Sequence, residues 1–365
     1  MTEICTLCNR LYLQAELTEF DHQRLCPSCL ESSTEYCAHC GERIWREAEN
    51  GPPLCRTCQG ELYTTCEACG SPIAFSSAYY DEEDEDQEYP YCWVCFNRIH
   101  AGKEIHEYSY KPAPIFYGEG VRYFGVELEL DCAGEDSENA CQIMRRVNCE
   151  KELIYCKHDG SLDNGFEIVT HPMTLDYHCH SMPWRDMLDE AVSLGYLSHK
   201  ANTCGLHIHV NRTAFGETEY QQEAAIARVL YIFEKFWDEL LKFSRRTQHQ
   251  LDRWAARYGY KDHPRDILDQ AKEGYGRGRY YAVNLQNRHT VEFRIFRGTL
   301  KYNTLIATLQ LVNRICGVAV SMSDEELKAL AWTTFAAQIQ EPELIQYLKE
   351  RRLYVNDPVE EGEEI

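Results

Sequence analysis

Six C-x-x-C pairs crowd into the first 95 residues, and nothing else in the chain restricts its fold as strongly. They are Cys5/Cys8, Cys26/Cys29, Cys37/Cys40, Cys55/Cys58, Cys66/Cys69 and Cys92/Cys95. They group into three similar units, CTLCNR…RLCPSC, YCAHCGER…PLCRTC and TCEACGSP…PYCWVC. Each unit opens on a knuckle followed by a turn-forming residue and closes with an apolar or aromatic residue ahead of the second pair. So short a unit lacks a core of its own, and four thiolates around a tetrahedral zinc replace it. The repeat boundaries favour pairing within each unit over an interleaved cross-brace. Six tandem pairs argue against a redox dithiol. The start, MTEICTLCNR, lacks the apolar core of a signal peptide. Together these features point to structural zinc in a reducing cytoplasm rather than to disulfides.

Charge narrows the partners. The 365 residues carry a net charge of −22, which disfavours a large nucleic-acid footprint. Through Tyr110 there are 7 basic against 20 acidic residues by count, including the run DEEDED at Asp81 to Asp86, which reads as a solvated loop. The modules therefore suit docking of a protein partner or presentation of a substrate better than phosphate binding. No apolar run approaches the roughly 20 residues that span a bilayer, so no membrane partner is expected. KPAPIFYGEG, at 111–120, reads as a linker. The expected layout is three zinc modules over 1–110, that linker, one larger domain over 121–355 and a disordered acidic tail over 356–365.

The larger domain repeats one pattern. In VRYFGVELEL, Phe124, Val126, Leu128 and Leu130 alternate with Glu127 and Glu129, as a strand with one apolar and one carboxylate face requires. In HDGSLDNGFEIVTHP, turn signals precede a strand carrying Glu167. In TCGLHIHVNR, His207 and His209 oppose Leu206, Ile208 and Val210, and Gly205 permits a close approach. In HTVEFRIFRGTL, Glu292 and Arg294 oppose Val291, Phe293 and Ile295, with Arg297 just beyond. Helices are expected near Glu138–Cys149 and Met182–Gly195, over Glu217–Arg246, and from about Asn303 onward. The resulting fold class is α+β: a mainly antiparallel sheet covered by helices on one face. If the polar faces coincide, they form a basin of carboxylates, imidazoles and guanidiniums. Such a basin is costly unless its members are paired or bound to cations. Oxygen ligands with an imidazole suit magnesium or manganese, and arginines suit phosphate.

In their order, FGVELEL, HDGSL…GFEIVTHP, CGLHIHV, YYAVNL and VEFRIFRGTL resemble the putative amidoligase family, carboxylate–amine ligases with the glutamine synthetase fold. The resemblance covers about Val121 to Gly298. It implies an ATP-dependent ligase that forms an amide or isopeptide bond through an acyl phosphate. It further implies that Glu127, Glu129, Glu167, His207 and Glu292 hold magnesium, and that Arg294 and Arg297 contact phosphate or substrate. Arg279 and Asn284 would line the nucleotide or substrate pocket, with His209 and Asp159 facing substrate or backing the ligands. The substrates implied are a carboxylate and an amine, in such families ranging from free amino acids to peptides.

Three other readings use the same residues. One is a non-catalytic adaptor with zinc modules and a degenerate ligase domain. Another is a metal-dependent hydrolase acting through the Glu/His basin without ATP. The last is nucleophilic catalysis by Cys156, Cys179 or Cys204, although scattered cysteines are more often small buried residues.

Overall fold

The computed structural model describes residues 2–46, 53–80, 89–99, 104–149, 151–273 and 278–354. The acidic run at 81–86 and the tail at 356–365 lie outside them. The chain divides into two compact units, Met1–Ala101 with Ser109–Pro112, and Gly102–Tyr108 with Ala113–Ile365.

The first unit consists of small cysteine-centred modules. In each, a hairpin carries the first C-x-x-C: Thr2–Ile4 with Leu11–Leu13, Thr34–Tyr36 with Arg43–Trp45, and Tyr63–Thr65 with Pro72–Ala74. The second pair opens a short helix: Pro27–Ser33, Arg56–Leu62 or Trp93–Ile99. Cys26 and Cys55 are the N-caps of the first two, their sulfurs accepting from the N–H of Cys29 and Cys58. Apolar support is thin. The first module buries Leu17 and Leu25 with Cys5 and Cys26, and the second buries little besides Cys37, Cys55 and Cys58.

The second unit is built on a seven-stranded sheet. Its strands are β1 (Ile105–His106), β2 (Phe124–Leu130), β3 (Ile154–Lys157), β4 (Phe166–Thr170), β5 (Gly205–Asn211), β6 (Val283–Asn284) and β7 (Thr290–Arg297). They lie in the order β6-β7-β5-β2-β4-β3-β1. Every pairing is antiparallel except β3 with β1. This is the α+β class expected, with a mainly antiparallel sheet and helices against its apolar face. Val126, Leu128, Ile208 and Phe293 are fully buried in one core with Leu305, Leu309 and Val312 of the helix Tyr302–Ser321. Phe233 of the helix Glu219–Lys235 meets Phe293 at 5.7 Å.

Two helices depart from the sequence reading. The pattern over Glu217–Arg246 resolves into Glu219–Lys235 and Trp237–Ser244, broken at Phe236. The break turns the Phe236 ring onto Trp332, 5.5 Å away, and the left-handed Arg245 ends the second helix. Tyr302–Ser321 is long and apolar enough to cross a membrane, which interruption by Gln310, Asn313 and Arg314 obscures in the sequence; 72% of its most apolar window is buried inside the protein.

Asp131 fastens the end of β2. It is 1% exposed. Its Oδ1 accepts from the N–H of Cys132 and Asn164, both at 2.7 Å, and its Oδ2 from Thr203 Oγ1 at 2.5 Å and Asp163 N at 3.2 Å. The turn before β4 and the segment before β5 are thus tied to one carboxylate. Gly165 closes the same corner: a Cβ there would lie 1.9 Å from the Leu130 carbonyl oxygen. Burial alone would raise the Asp131 carboxyl, but the Thr203 hydroxyl and the backbone donors hold it below its ordinary 3.8. A lowered carboxyl stabilises above its unfolded value and stops doing so as pH falls through its folded one. Asp131→Ala should therefore cost about 3 kcal/mol at neutral pH, since it strands buried donors. Urea denaturation should show the gap from the parent chain persisting down to pH 4 and narrowing only below it, since the donors Ala strands stay stranded at any pH.

Candidate active site

Cross-strand register assembles the polar face. Glu127 stands opposite His207, Glu129 opposite Glu167, and Lys157 opposite Glu167. His209 stands opposite Glu292, which is itself opposite Asn284. Ligand atoms of Glu127, His207 and Glu292 lie within 4.8 Å of one another. His207 Nδ1 is 3.3 Å from Glu127 Oε2 and 4.0 Å from Glu292 Oε1, and its Nε2 is 3.6 Å from Glu129 Oε1. His209 Nε2 approaches Glu127 Oε1 at 3.1 Å while its Nδ1 meets Thr290 Oγ1 at 3.2 Å. Gly205 makes the room: a Cβ there would fall 2.7 Å from His207 Nε2 and 2.8 Å from Arg246 Nη2.

The electrostatics reflect burial and neighbours. Burial would raise the Glu127 carboxyl, but His209 and His207 beside it pull it well below the usual range. Glu292 is lowered in the same way, against burial, by His209 and then Arg294. Glu167 goes the other way. Burial and then the charge of Glu127 push it well up, with Lys157 only partly opposing, and its Oε1 has no hydrogen-bond partner. The set of carboxylate, imidazole and carboxylate fits a hard divalent cation, whose bonds of about 2.1 Å place neighbouring donors roughly 3–4 Å apart.

The other expected residues separate. Arg294 pairs with Glu292 Oε1, and Asn284 donates to Glu292 Oε2 at 2.8 Å, so Asn284 orients a carboxylate. Asp159 is buried, accepts from Ser161 N at 2.7 Å and adds to the field on Glu167. Arg279 lies 5.3 Å over the Tyr108 ring. Arg297 is not in the cluster; it donates to Asn202 Oδ1 at 2.8 Å and faces a cleft with Arg245 and Arg246. Two contributors escape the sequence reading. Asn287 donates to Glu292 Oε2 at 3.0 Å with only a turn residue's signature to mark it. Arg246 is hidden in what reads as a helix end. The three scattered thiols are poor nucleophiles: burial raises Cys179 to about 11 and Cys204 to about 12, and raises Cys156 further.

The twelve module cysteines form three tetrads, Cys5/Cys8/Cys26/Cys29, Cys37/Cys40/Cys55/Cys58 and Cys66/Cys69/Cys92/Cys95, each sequential and within one unit. The sulfur pairs Cys8–Cys26, Cys40–Cys55 and Cys69–Cys92 lie 3.9, 3.7 and 3.8 Å apart. Tetrahedral zinc with bonds of about 2.3 Å sets sulfurs about 3.8 Å apart, so the donor sets fit. Within a tetrad the thiols divide. Backbone N–H groups of Cys40 and Cys55 lower Cys37 to about 6, while its neighbour's sulfur, then burial, raises Cys29 to about 12 in the first set.

Residues 145–316 match the family described as putative amidoligase enzyme, which bears out the resemblance read from the motif order. The matched stretch holds Glu167, His207, His209, Asn284, Glu292 and Arg294; the strand with Glu127 and Glu129 precedes it. The match supports a carboxylate–amine ligase in general. No curated protein matches the sequence. Among solved structures, the chain resembles one described as the crystal structure of the complex between Prokaryotic Ubiquitin-like Protein Pup and its Ligase PafA. The identity is 11%, the TM-score 0.30, and the likeness covers 63% of each chain, less than two thirds of that protein. At that score the likeness carries no functional weight.

A buried, raised carboxyl costs stability once pH exceeds its unfolded value. Glu167→Gln is therefore expected to raise the melting temperature of the metal-free chain at pH 7, with the gain vanishing near pH 4. Differential scanning calorimetry at the two pH values reads it directly.

Proposed function

We propose that the chain is an ATP-dependent carboxylate–amine ligase that makes an amide or isopeptide bond through an acyl phosphate. The observation that carries this reading is the convergence of Glu127, His207 and Glu292, with the Arg294 guanidinium fixed beside them. These three, backed by Glu129 and Glu167, would hold magnesium or manganese. When bound, that ion supplies charge neutralisation for the phosphates of ATP.

The chemistry has two balanced steps. A substrate carboxylate oxygen attacks the γ-phosphorus of ATP, giving an acyl phosphate and ADP. An amine then attacks the carbonyl carbon, phosphate leaves with the bonding pair, and the amine proton passes to a base. The chain's part is positioning and electrostatics. Arg294 presents positive charge toward the cluster, Asn284 and Asn287 fix Glu292, and Thr290 fixes His209. Arg279 and Asn284 are assigned to the nucleotide or substrate side, and Asp159 and His209 to support of the ligands.

The tetrads are assigned to structural zinc, and the modules to docking a peptide or protein substrate or partner, in a reducing cytoplasm. Over the described part of the first unit, acidic residues outnumber basic ones, which opposes phosphate and favours a protein surface.

Two measurements test this. Phosphate release with ATP, a panel of acids and a panel of amines should require all three reactants, and Glu127→Ala should abolish it, a loss of about 10³-fold or more for a group acting on the transferring charge. Phosphate release from ATP without acid or amine would instead indicate a hydrolase, and no turnover anywhere in the panel an adaptor. Metal analysis of the purified chain should return about three zinc ions, one per tetrad. Cys37→Ser should lose one of them and melt its module, which has almost no apolar core to fall back on.

A further inference from the structure

A cleft of about 450 Å³ opens beside the polar face, lined by His199, Lys242, Arg245, Arg246, Arg297 and Arg351, with Asp238 its only acidic member. Among the described residues, none of Lys242, Arg245, Arg246, Arg297 and Arg351 forms an ion pair, whereas Arg146, Arg228, Arg257, Arg265 and Arg294 each have a carboxylate partner. Arg351 donates only to the Lys242 carbonyl, at 3.0 and 2.8 Å, and Arg297 Nε is buried without a partner. The cations work against one another. Burial and then Arg245, Arg297 and Arg351 hold the His199 imidazole down to about 4; burial, opposed by the Glu129 carboxylate and aided by Arg294 and Arg297, lowers Arg246 to about 10.

Five unpaired cations gathered in a chain of net charge −22 are a local inversion of its charge. Like charges held together without partners are destabilising, so the arrangement is one that an anion completes. Guanidinium forks bind carboxylate or phosphate in two-pronged fashion. The cleft also borders the cluster: Arg246 Nη2 and His207 Nε2 crowd the same point above Gly205. A molecule filling the cleft therefore reaches the candidate metal ligands at one end.

We infer that the cleft is the acid-substrate site, and that the acid is a compact polycarboxylate. One carboxylate is presented beside Arg246 and His207, and at least two others are gripped by Arg245, Arg297 and Arg351. This rests on the ligase reading, because a ligase must hold the remainder of its acid next to the reacting carboxylate. A long polyanion such as nucleic acid meets repulsion from the rest of the chain, while a compact one of small-molecule size fits the volume and feels only the local field.

The test is calorimetric titration of the full chain with propane-1,2,3-tricarboxylate, glutarate and butyrate, at about 0.15 M salt and without nucleotide or added metal. The tricarboxylate should bind roughly tenfold or more tighter than glutarate, with butyrate weaker still. Its affinity should fall as salt rises, a readout on the unaltered chain that needs no variant. Arg245→Gln combined with Arg351→Gln should weaken it by a further tenfold or so, while Lys272→Gln, which acts on a lysine paired with Glu223, leaves it unchanged. Equal binding of the three acids would overturn the inference. So would displacement of the tricarboxylate by ADP, which would give the cleft to nucleotide phosphates. Intact tricarboxylate binding with no ATP-driven turnover on any acid would sink the ligase reading and leave the anion site standing.

Discussion

Everything on the functional side of this protein depends on the cost of holding Glu127, Glu129, Glu167 and Glu292 on one face of a sheet. Three of the four are buried, and Glu127 is largely so. The structure offsets that cost unevenly. Glu292 accepts from Asn284, Asn287 and Arg294, and Glu127 lies between two imidazoles. Glu167 keeps an unpartnered oxygen. A face that is partly compensated by its own side chains and partly left in want of positive charge is a face arranged for a cation. The apolar side of the same strands does the opposite work, burying Val126, Leu128, Ile208 and Phe293 without polar atoms. The period of two is what lets one strand serve both purposes.

Geometry within the cluster is set by backbone devices rather than by the charged residues. On β7, Arg294 and Ile295 together stand opposite His207, because the register with β5 shifts by one between Leu206 and Ile208. Such a bulge bends the strand and re-aims the side chains beyond it. It leaves Glu292 and Arg294 at the cluster and sends Arg297 to the cleft. Gly205 then lets His207 and Arg246 close over the backbone, and Asp131 fixes the segments leading into β4 and β5. The bulge thus puts Arg297 opposite Gly205 on the polar face, where it joins Arg245, Arg246 and Arg351 at the cleft.

Much of this is legible in the sequence because alternation is a local signal. Glu127, His207 and Glu292 declare their faces through their immediate neighbours, and antiparallel pairing does the rest. The tetrads are legible for a similar reason, as two C-x-x-C pairs in one short unit leave few ways to assemble four thiols. Arg297 is misplaced by simple alternation, although a mark is present: Ile295 and Phe296 are consecutive apolar residues that break the alternation, which is how a bulge reads in sequence. Arg245 and Arg246 escape because a helix pattern runs through them. The left-handed Arg245 ends the helix there, with the Ser244 hydroxyl accepting from Arg246 N at 3.1 Å and donating to the Leu241 carbonyl at 2.8 Å. Asp131 is invisible for a further reason: its partners are backbone N–H groups and Thr203, brought to it only by the fold.

The two halves of the chain obey one rule with different ligands. A tetrad cannot ionise all four thiols unaided: donors lower one sulfur, and the thiolate so formed raises its neighbours, as Cys37 and Cys29 illustrate in their respective sets. A dication removes that conflict, and with it supplies the core that Cys37, Cys55 and Cys58 alone do not provide. The polar face of the sheet presents the same conflict among carboxylates, softened by imidazoles and amides. The arginine cleft presents its mirror image, cations in want of anions. The cleft and the carboxylate cluster touch at Arg246 and His207, so a guanidinium-lined region and a carboxylate-lined one share a border. Under the proposed function, that border is where the reacting carboxylate of the acid would lie, with its remaining anionic groups toward the arginines.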